Sequence, residues 1–153
     1  MESNNIVIEL HIHDFDKARD FYSKLDFEVV SEDPIGEHLG YMVLQLGSTR
    51  LNFYGGEERV SDHAFFRDFP KETPRGYEVE ITIPVDDVEG YYKKVLSKIC
   101  GHIAQELIMK RWGKKDFRLV DPFGFYLRFT EPMNWLLCCC GSGKNWKKCH
   151  GAS

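Results

Sequence analysis

Four of the five cysteines in this 153-residue chain lie within its last sixteen residues. Cys138 and Cys140 are separated by one residue, and Cys149 and His150 follow after eight more. Thiolate sulfur and imidazole nitrogen together form closed tetrahedral zinc sites, and the glycines at 141 and 143 allow the chain to fold back between the two pairs. The spacing therefore predicts a structural Cys₃His zinc knuckle. The alternative is a reactive or fortuitous run of thiols.

The tail resembles the SEC-C motif in its sequence CCCGSGKNWKKCHG, with Cys139 as a spare thiol at a position where that motif often has proline. The resemblance implies one bound zinc ion and docking to a protein or ribonucleoprotein partner. Lys144, Lys147 and Lys148 make the knuckle basic, and a basic surface suits an acidic partner.

A second group of polar residues lies in segments that alternate with period two, as β-strands with one apolar face do. Glu9 and His11 alternate with apolar residues in segment 6–13, and Glu78 and Glu80 do so in segment 78–85. Glu9 and His11 share one face and are a candidate acid–base pair. The alternative is that His11 is a wall residue with satisfied partners, because most histidines are not catalytic.

The elements that must position these residues occur twice in the same order. The first half has a strand at 6–13, a helix opened by the capping residue Asp14, and strands at 27–31, 41–46 and 50–54. The second half has a strand at 78–85, a helix at 88–99, and strands at 107–110, 116–120 and 125–130. A βαβββ unit that repeats indicates two related modules. We place them at about residues 6–55 and 77–131.

Two segments resemble motifs of the vicinal oxygen chelate superfamily, which includes glyoxalase I, bleomycin-resistance proteins, fosfomycin-resistance enzymes and extradiol dioxygenases. They are DFDKARDFYSKLDFEVV near the N-terminus and WGKKDFRLVDPFGFYLRF before the tail. The resemblance implies an α+β fold in which two βαβββ modules form a curled mixed sheet around a cleft. We expect this domain at residues 1–132 and the zinc tail at 133–153. Asp26 replaces the usual glycine of the family, which suggests a different turn there.

Metalloenzymes of that superfamily take metal ligands from the first strand of each module and from the last strand. The resemblance maps those positions onto Val7, Glu80 with its neighbour Glu78, and Arg128. Val7 has no ligand atom, and Arg128 stays protonated and cannot coordinate a cation. We therefore expect no cleft metal. We predict instead that Arg128 forms a bidentate pair with Glu80 or Glu78.

In this superfamily the strand faces turned away from the helices line the cleft, so strand alternation and nearby aromatic residues predict the residues of the ligand-binding cleft. These are Glu9, His11, Asn52, Tyr54, Glu78, Glu80, Trp112, Tyr126 and Arg128. For the aromatic members the alternative is ordinary core or a dimer interface, because aromatic side chains serve both purposes.

Net charge, apolar runs and cysteine usage narrow the possible functions further. A formal net charge of −4 does not favour nucleic-acid binding by the whole chain, and no apolar run reaches the length of a membrane span. The N-terminus lacks the features of an export signal. Clustered cysteines, odd in number, argue against a disulfide framework, so we expect a cytoplasmic protein with reduced thiols.

Three functions remain open at this level. The first is a protein that binds a small molecule in a metal-free cleft and docks to a partner through its zinc tail. The second is a metal-dependent lyase, transferase or dioxygenase of the superfamily. The third is an interaction protein with a vestigial cleft. A homodimer is expected by analogy with the family.

Overall fold

The computed structural model describes residues 7–34, 40–55, 63–69, 75–132 and 140. The chain divides into two compact units, residues 1–77 with 121–124, and residues 78–120 with 125–153. The predicted zinc ligands Cys138, Cys149 and His150 lie outside the described residues, and Cys140 is exposed. The zinc knuckle therefore stays a prediction.

The first unit contains one βαβββ module built on a four-stranded mixed sheet. Strand β1 runs parallel to β4, and the other neighbours are antiparallel in the order β1-β4-β3-β2. The elements are β1 (Glu9–Ile12), α1 (Phe15–Lys24), β2 (Glu28–Asp33), β3 (Gly40–Leu46) and β4 (Thr49–Gly55).

Helix α1 begins where the sequence predicts. The Asp14 side chain accepts a hydrogen bond of 2.8 Å from the backbone N–H of Lys17, which satisfies one free donor of the first turn. The helix buries its apolar stripe against the sheet, and the Tyr22 ring lies 5.2 Å from the Phe53 ring of β4. The hydroxyl of Tyr22 donates a hydrogen bond of 2.9 Å to the carboxylate of Asp121.

The second unit repeats the module with the sheet order β5-β8-β7-β6, in which β5 and β8 are parallel. Its elements are β5 (Glu80–Pro84), α2 (Val88–Ile99), β6 (Ile103–Met109), β7 (Lys115–Val120) and β8 (Tyr126–Thr130). Two short 3₁₀ turns complete the described structure, one in each unit, at Phe66–Asp68 and Cys100–His102.

The core of the second unit forms between α2 and the neighbouring sheet face. Asp87 caps α2 by accepting a 2.9 Å hydrogen bond from the N–H of Gly90. The rings of Phe117 and Phe129 stack at 5.0 Å, and Tyr91 of α2 stacks on Phe129 at 5.3 Å. The helix thus covers one face of the sheet and leaves the other to polar residues.

Several predicted strand boundaries are wrong. The first strand is shorter than predicted, so Val7 precedes β1 and is exposed. Glu78 precedes β5 in an exposed turn with a φ of 57°, which interrupts extended backbone. Strand β6 begins at Ile103, four residues before the predicted start. The prediction missed these residues because apolar and polar side chains do not alternate clearly over 103–106.

The turn before β2 also differs from expectation. Asp26 has a φ of 57°, in the left-handed region that glycine adopts most easily. The turn is therefore of the kind that a glycine would make, and the idea of a different turn at Asp26 is wrong. None of the helices within the described ranges is long and apolar enough to cross a membrane.

Candidate functional site

Each sheet has a polar face turned away from its helix. In the first unit the strand register brings together Glu9 with Asn52, His11 with Tyr54, and Tyr41 with Tyr54. The residues that alternate with them face the helix and are buried, namely Leu10, Ile12, Met42, Leu44, Leu51 and Phe53. The period-two pattern therefore assigns these side chains to the correct faces.

His11 lies at the centre of an aromatic group on the first polar face. Its ring centroid is 5.0 Å from Tyr54, 5.5 Å from His63 and 5.0 Å from Phe66, all in edge-on arrangements. The guanidinium of Arg75 donates a 2.8 Å hydrogen bond to the backbone carbonyl of His11. Within the described ranges, the buried Nδ1 of His11 has no hydrogen-bond partner.

The surroundings favour the neutral form of His11. Burial lowers the pKa of His11 below its ordinary value of 6.5, and the nearby His63 and Arg75 lower it further. The Glu9 carboxylate raises this pKa, but it does not offset burial. Glu9 and His11 share a face as expected, yet the environment holds His11 as an uncharged base.

The polar face of the second unit carries charges. Pairing of β5, β8 and β7 places Glu80 beside Tyr126 and Arg118 beside Arg128. Asp116 lies on the same face at the start of β7, where it has no solvent exposure. We call these five residues, with Gln105, Lys110 and Trp112, the charged cluster.

The buried carboxylate of Asp116 organises the inner part of the charged cluster. Its Oδ2 is 3.0 Å from Nε of Arg128, and its Oδ1 accepts a 2.9 Å hydrogen bond from Gln105. The ammonium group of Lys110 lies 3.5 Å from Oδ1. A buried carboxylate requires such partners, because an unpaired buried charge is strongly unfavourable.

Glu80 occupies the outer part of the charged cluster between two arginines. Its Oε2 is 3.4 Å from Nη1 of Arg118, and its Oε1 is 3.5 Å from Nη1 of Arg128. The predicted contact between Arg128 and Glu80 is therefore present. The predicted bidentate geometry is wrong, because Asp116 holds Arg128 more closely and Glu80 is divided between two guanidinium groups.

Trp112, in the turn between β6 and β7, covers the cationic side chains. Its ring lies 5.2 Å from the guanidinium carbon of Arg128 and 5.9 Å from Nζ of Lys110, both in cation–π contact range. Arg118 lies 5.8 Å from the ring of Tyr126. Burial lowers the pKa of Arg118, but Tyr126, Glu80 and Asp116 raise it overall, so this side chain stays charged.

The residues at the positions that the resemblance assigns to metal ligands differ from metal ligands in their chemistry. Val7 is hydrocarbon, Arg128 is a cation, and Glu80 is already contacted by two arginines. Among the described residues, no three His, Cys, Asp or Glu side chains are grouped so that they could hold a metal ion. Glu78, the alternative ligand, lies in the exposed turn before β5.

Of the residues predicted to line the cleft, Glu9, His11, Asn52 and Tyr54 lie on the first sheet. Glu80, Tyr126 and Arg128 lie on the second sheet, and Trp112 contacts Arg128 from the turn between β6 and β7. The sequence interpretation missed Asp116, Arg118 and Lys110. Alternation along β7 was a signal that could have placed Asp116 and Arg118 on the polar face. His63 and Phe66 had no such signal, because their segment has no periodicity.

The comparisons with known proteins agree with this architecture. The sequence profile of the Glyoxalase/Bleomycin resistance protein/Dioxygenase superfamily matches residues 7–129. The chain belongs to this superfamily, whose two-module α+β fold the sheets reproduce. A search of curated proteins finds no significant match.

Several solved structures are similar. A bleomycin resistance determinant encoded on the transposon Tn5 is 24% identical with a TM-score of 0.61, covering 86% of this chain and 100% of its own. A hypothetical protein, SA1046 from S. aureus, is 20% identical with a TM-score of 0.63, covering 86% and 96%. A bleomycin-binding protein complexed with bleomycin is 23% identical with a TM-score of 0.57, covering 86% and 100%. Similarity at these identities establishes the fold alone.

Proposed function

We propose that this protein binds a small molecule on the polar faces of its sheets without the help of a divalent metal ion. The observation that carries the proposal is the position of Glu80. This residue is a carboxylate at a position that the resemblance assigns to a metal ligand, and Arg118 and Arg128 lie 3.4 and 3.5 Å from it. A divalent cation there would meet two fixed positive charges.

The similarity to a bleomycin-binding protein supports a binding role for the fold, and bleomycin itself is not proposed as the ligand. Aromatic and polar side chains line both polar faces, as is typical of small-molecule sites. The competing hypothesis is a metal-dependent lyase, transferase or dioxygenase, in which ligand binding or turnover would need an added divalent ion.

A thermal-shift screen separates these two hypotheses. The full chain with Cys138→Ser and Cys149→Ser, which removes the predicted tail site, is screened against small molecules with and without a chelator. A metal-free binder is stabilised by its ligand equally in both conditions, since a ligand that binds only the native state raises the melting temperature. Stabilisation that appears only after a divalent ion is added would overturn the proposal in favour of the enzyme.

We also propose that the tail holds one structural zinc ion through Cys138, Cys140, Cys149 and His150. Metal analysis of the full chain is expected to give about one zinc per chain, as a closed Cys₃His site requires. Cys138→Ser or Cys149→Ser should abolish binding, while the matched control Cys139→Ser should retain it. Equal zinc loss from all three variants would contradict this ligand set.

The tail is further proposed to dock to an acidic partner in the cytoplasm through Lys144, Lys147 and Lys148. Replacing Lys147 and Lys148 by glutamine should weaken binding to a polyanionic resin and leave the zinc content unchanged. Unchanged elution in the salt gradient would argue against a basic docking surface.

A homodimer is the proposed assembly. All six residues of edge strand β2 are exposed, including Val29 and Val30, and an exposed apolar edge strand is a surface suited to pairing. Val30→Lys is expected to shift the sedimentation coefficient from dimer to monomer. The control is Ser48→Lys, which adds the same charge in the exposed turn between β3 and β4. A monomeric wild type would reject the assembly.

A further inference from the structure

The charged cluster contains more hydrogen-bond donors than its own residues satisfy. Nη2 of Arg128 and Nε1 of Trp112 are buried and have no hydrogen-bond partner within the described part of the chain, and Nε of Arg118 lies 3.7 Å from Oδ1 of Asp116, too far for a hydrogen bond. The side chain of Arg128 is only 11% exposed. Buried donors without partners are unfavourable, so this group of donors suits a ligand that supplies acceptor atoms.

The charge balance of the cluster points to the same ligand chemistry. Three cationic side chains, Lys110, Arg118 and Arg128, are in contact with two carboxylates, Asp116 and Glu80. Counted over these described residues, the site carries one positive charge in excess. The formal charge of the whole chain is negative, so the local excess is a property of the site.

The two carboxylates hold the arginines differently. Asp116 has no solvent exposure and its Oδ2 is 3.0 Å from Arg128, whereas Glu80 is 33% exposed and its contacts are 3.4 and 3.5 Å long. Hydrogen bonds between a charged N–H donor and a carboxylate are normally about 2.7–2.9 Å long. Glu80 is thus a loose outer partner that an incoming anion can displace, while Asp116 keeps Arg128 in place.

We infer that the charged cluster binds the carboxylate or phosphate group of an organic ligand through Arg118, Arg128 and the indole N–H of Trp112, in competition with Glu80. The planar fork of arginine matches the two oxygens of such a group. This inference rests on the proposed binding function and names the chemical class of its ligand.

Three probes of nearly equal shape and different charge test the inference: benzoate, benzamide and benzamidine. Binding to the full chain is followed by the indole N–H signal of Trp112 in ¹⁵N-resolved NMR, which Trp112→Phe identifies among the three tryptophans. Benzoate is expected to shift this signal and to bind at least about tenfold more tightly than benzamide. Benzamidine should leave the signal unchanged.

Two variants are expected to change the affinity for benzoate in opposite directions. Arg118→Gln should weaken benzoate binding about tenfold, and Glu80→Gln should strengthen it by a similar factor, because the competing carboxylate is removed. Arg128→Gln should also weaken binding, but it leaves Asp116 without its closest partner. Arg118→Gln decides the matter if the Arg128 variant fails to fold. Arg50→Gln removes an exposed arginine of the first unit and should change nothing.

The inference is overturned if benzamidine binds as well as benzoate, if Glu80→Gln weakens benzoate binding, or if none of the probes binds at millimolar concentration. In each case the proposed binding function is judged separately. A neutral or cationic compound from the thermal-shift screen that shifts signals of either polar face would preserve that function and reject only the anionic ligand.

Discussion

Oδ2 of Asp116 lies 3.0 Å from Nε of Arg128, and the Asp116 side chain has no solvent exposure. This pair connects strands β7 and β8 on the polar face of the second unit. A charge this deep is stable only with several partners, and Gln105 and Lys110 supply the others. The polar face is therefore a built network in which Asp116 orients Arg128 toward Glu80.

Replacing Asp116 by asparagine is expected to destabilise the protein strongly. The change keeps the shape but leaves Arg128 and Lys110 without their common counter-charge, and breaking a buried pair in this way costs about 3 kcal/mol of unfolding free energy. Urea unfolding followed by circular dichroism measures the change. The control is Asp68→Asn, whose side chain is 81% exposed and should shift the midpoint little. Equal effects at both sites would contradict a structural role for Asp116.

The hydrogen bond from Tyr22 to Asp121 predicts a second stability change. Tyr22→Phe removes a buried donor to a carboxylate, and the expected loss is about 1.5–3 kcal/mol of unfolding free energy. Asp121 would retain the 2.9 Å hydrogen bond from the backbone N–H of Phe123. Tyr77→Phe, at an exposed tyrosine, is the matched control. Urea midpoints that agree for the two variants would show that the buried hydrogen bond contributes nothing.

The same tyrosine predicts loss of stability in alkali. Burial first, and then the Asp121 carboxylate, raises the pKa of Tyr22 well above its ordinary value of 10.0. Above that ordinary value the unfolded chain releases the proton while the native chain keeps it, so stability falls as pH rises. The slope is about 1.4 kcal/mol per pH unit for one group.

Unfolding free energies measured between about pH 9 and pH 11 test this expectation, because an ordinary tyrosine titrates in that range. Tyr22→Phe should start lower and decline less steeply, whereas Tyr77→Phe should follow the wild type. A Tyr22→Phe slope as steep as that of the wild type would show that another group causes the alkaline loss.

The lowered pKa of His11 predicts that the unfolding free energy also decreases when the pH falls below the ordinary histidine value. Because burial and His63 lower the pKa of His11 in the native state, the unfolded chain takes up a proton first as the pH falls below 6.5. The contribution of His11 is therefore present above that value and is lost as pH decreases toward the native pKa. The groups facing it are His63, Glu9 and Arg75.

An NMR titration of the imidazole signals checks the direction directly. The His11 midpoint is expected below that of the histidine in a short peptide, and Glu9→Gln should lower it further, since the carboxylate is the influence that raises it. Arg50→Gln, remote from His11 in the strand register, is the control. A midpoint that rises in the Glu9 variant would reverse the assignment.

Local sequence patterns predict a large part of the fold, because helix capping and strand alternation depend on residues that are close together in the chain. The N-cap at Asp14, the span Val88–Ile99 of the second helix and the faces of β1 and β8 all follow from period and capping. The start of β6 does not, because its residues alternate only weakly and pairing with β7 determines the strand.

The charged cluster could be predicted only in part. The resemblance supplied Glu80 and Arg128, but the position of Asp116 beneath them depends on the register of β7 against β8, which no local pattern contains. His63 reaches His11 from a non-periodic segment across more than fifty residues. Long-range contacts of this kind are set by the packed chain rather than by propensity.

The turn at Asp26 predicts the order of stability of two substitutions. At its φ of 57° a side chain is strained by about 1–2 kcal/mol relative to glycine. Both Asp26→Gly and Asp26→Ala lose the interactions of the Asp26 side chain, so the alanine variant should be less stable than the glycine variant by about 1 kcal/mol. Urea unfolding of both variants measures this difference.

Asp20 provides a control with the opposite expected order. It lies exposed within α1 (Phe15–Lys24), where helical backbone makes alanine more favourable than glycine by about 1 kcal/mol. Both Asp20 variants lose the same contact with Lys24, so that loss cancels in the comparison. Glycine should therefore be the better residue at 26 and the worse one at 20. The same order at both positions would mean that the turn before β2 does not require left-handed backbone.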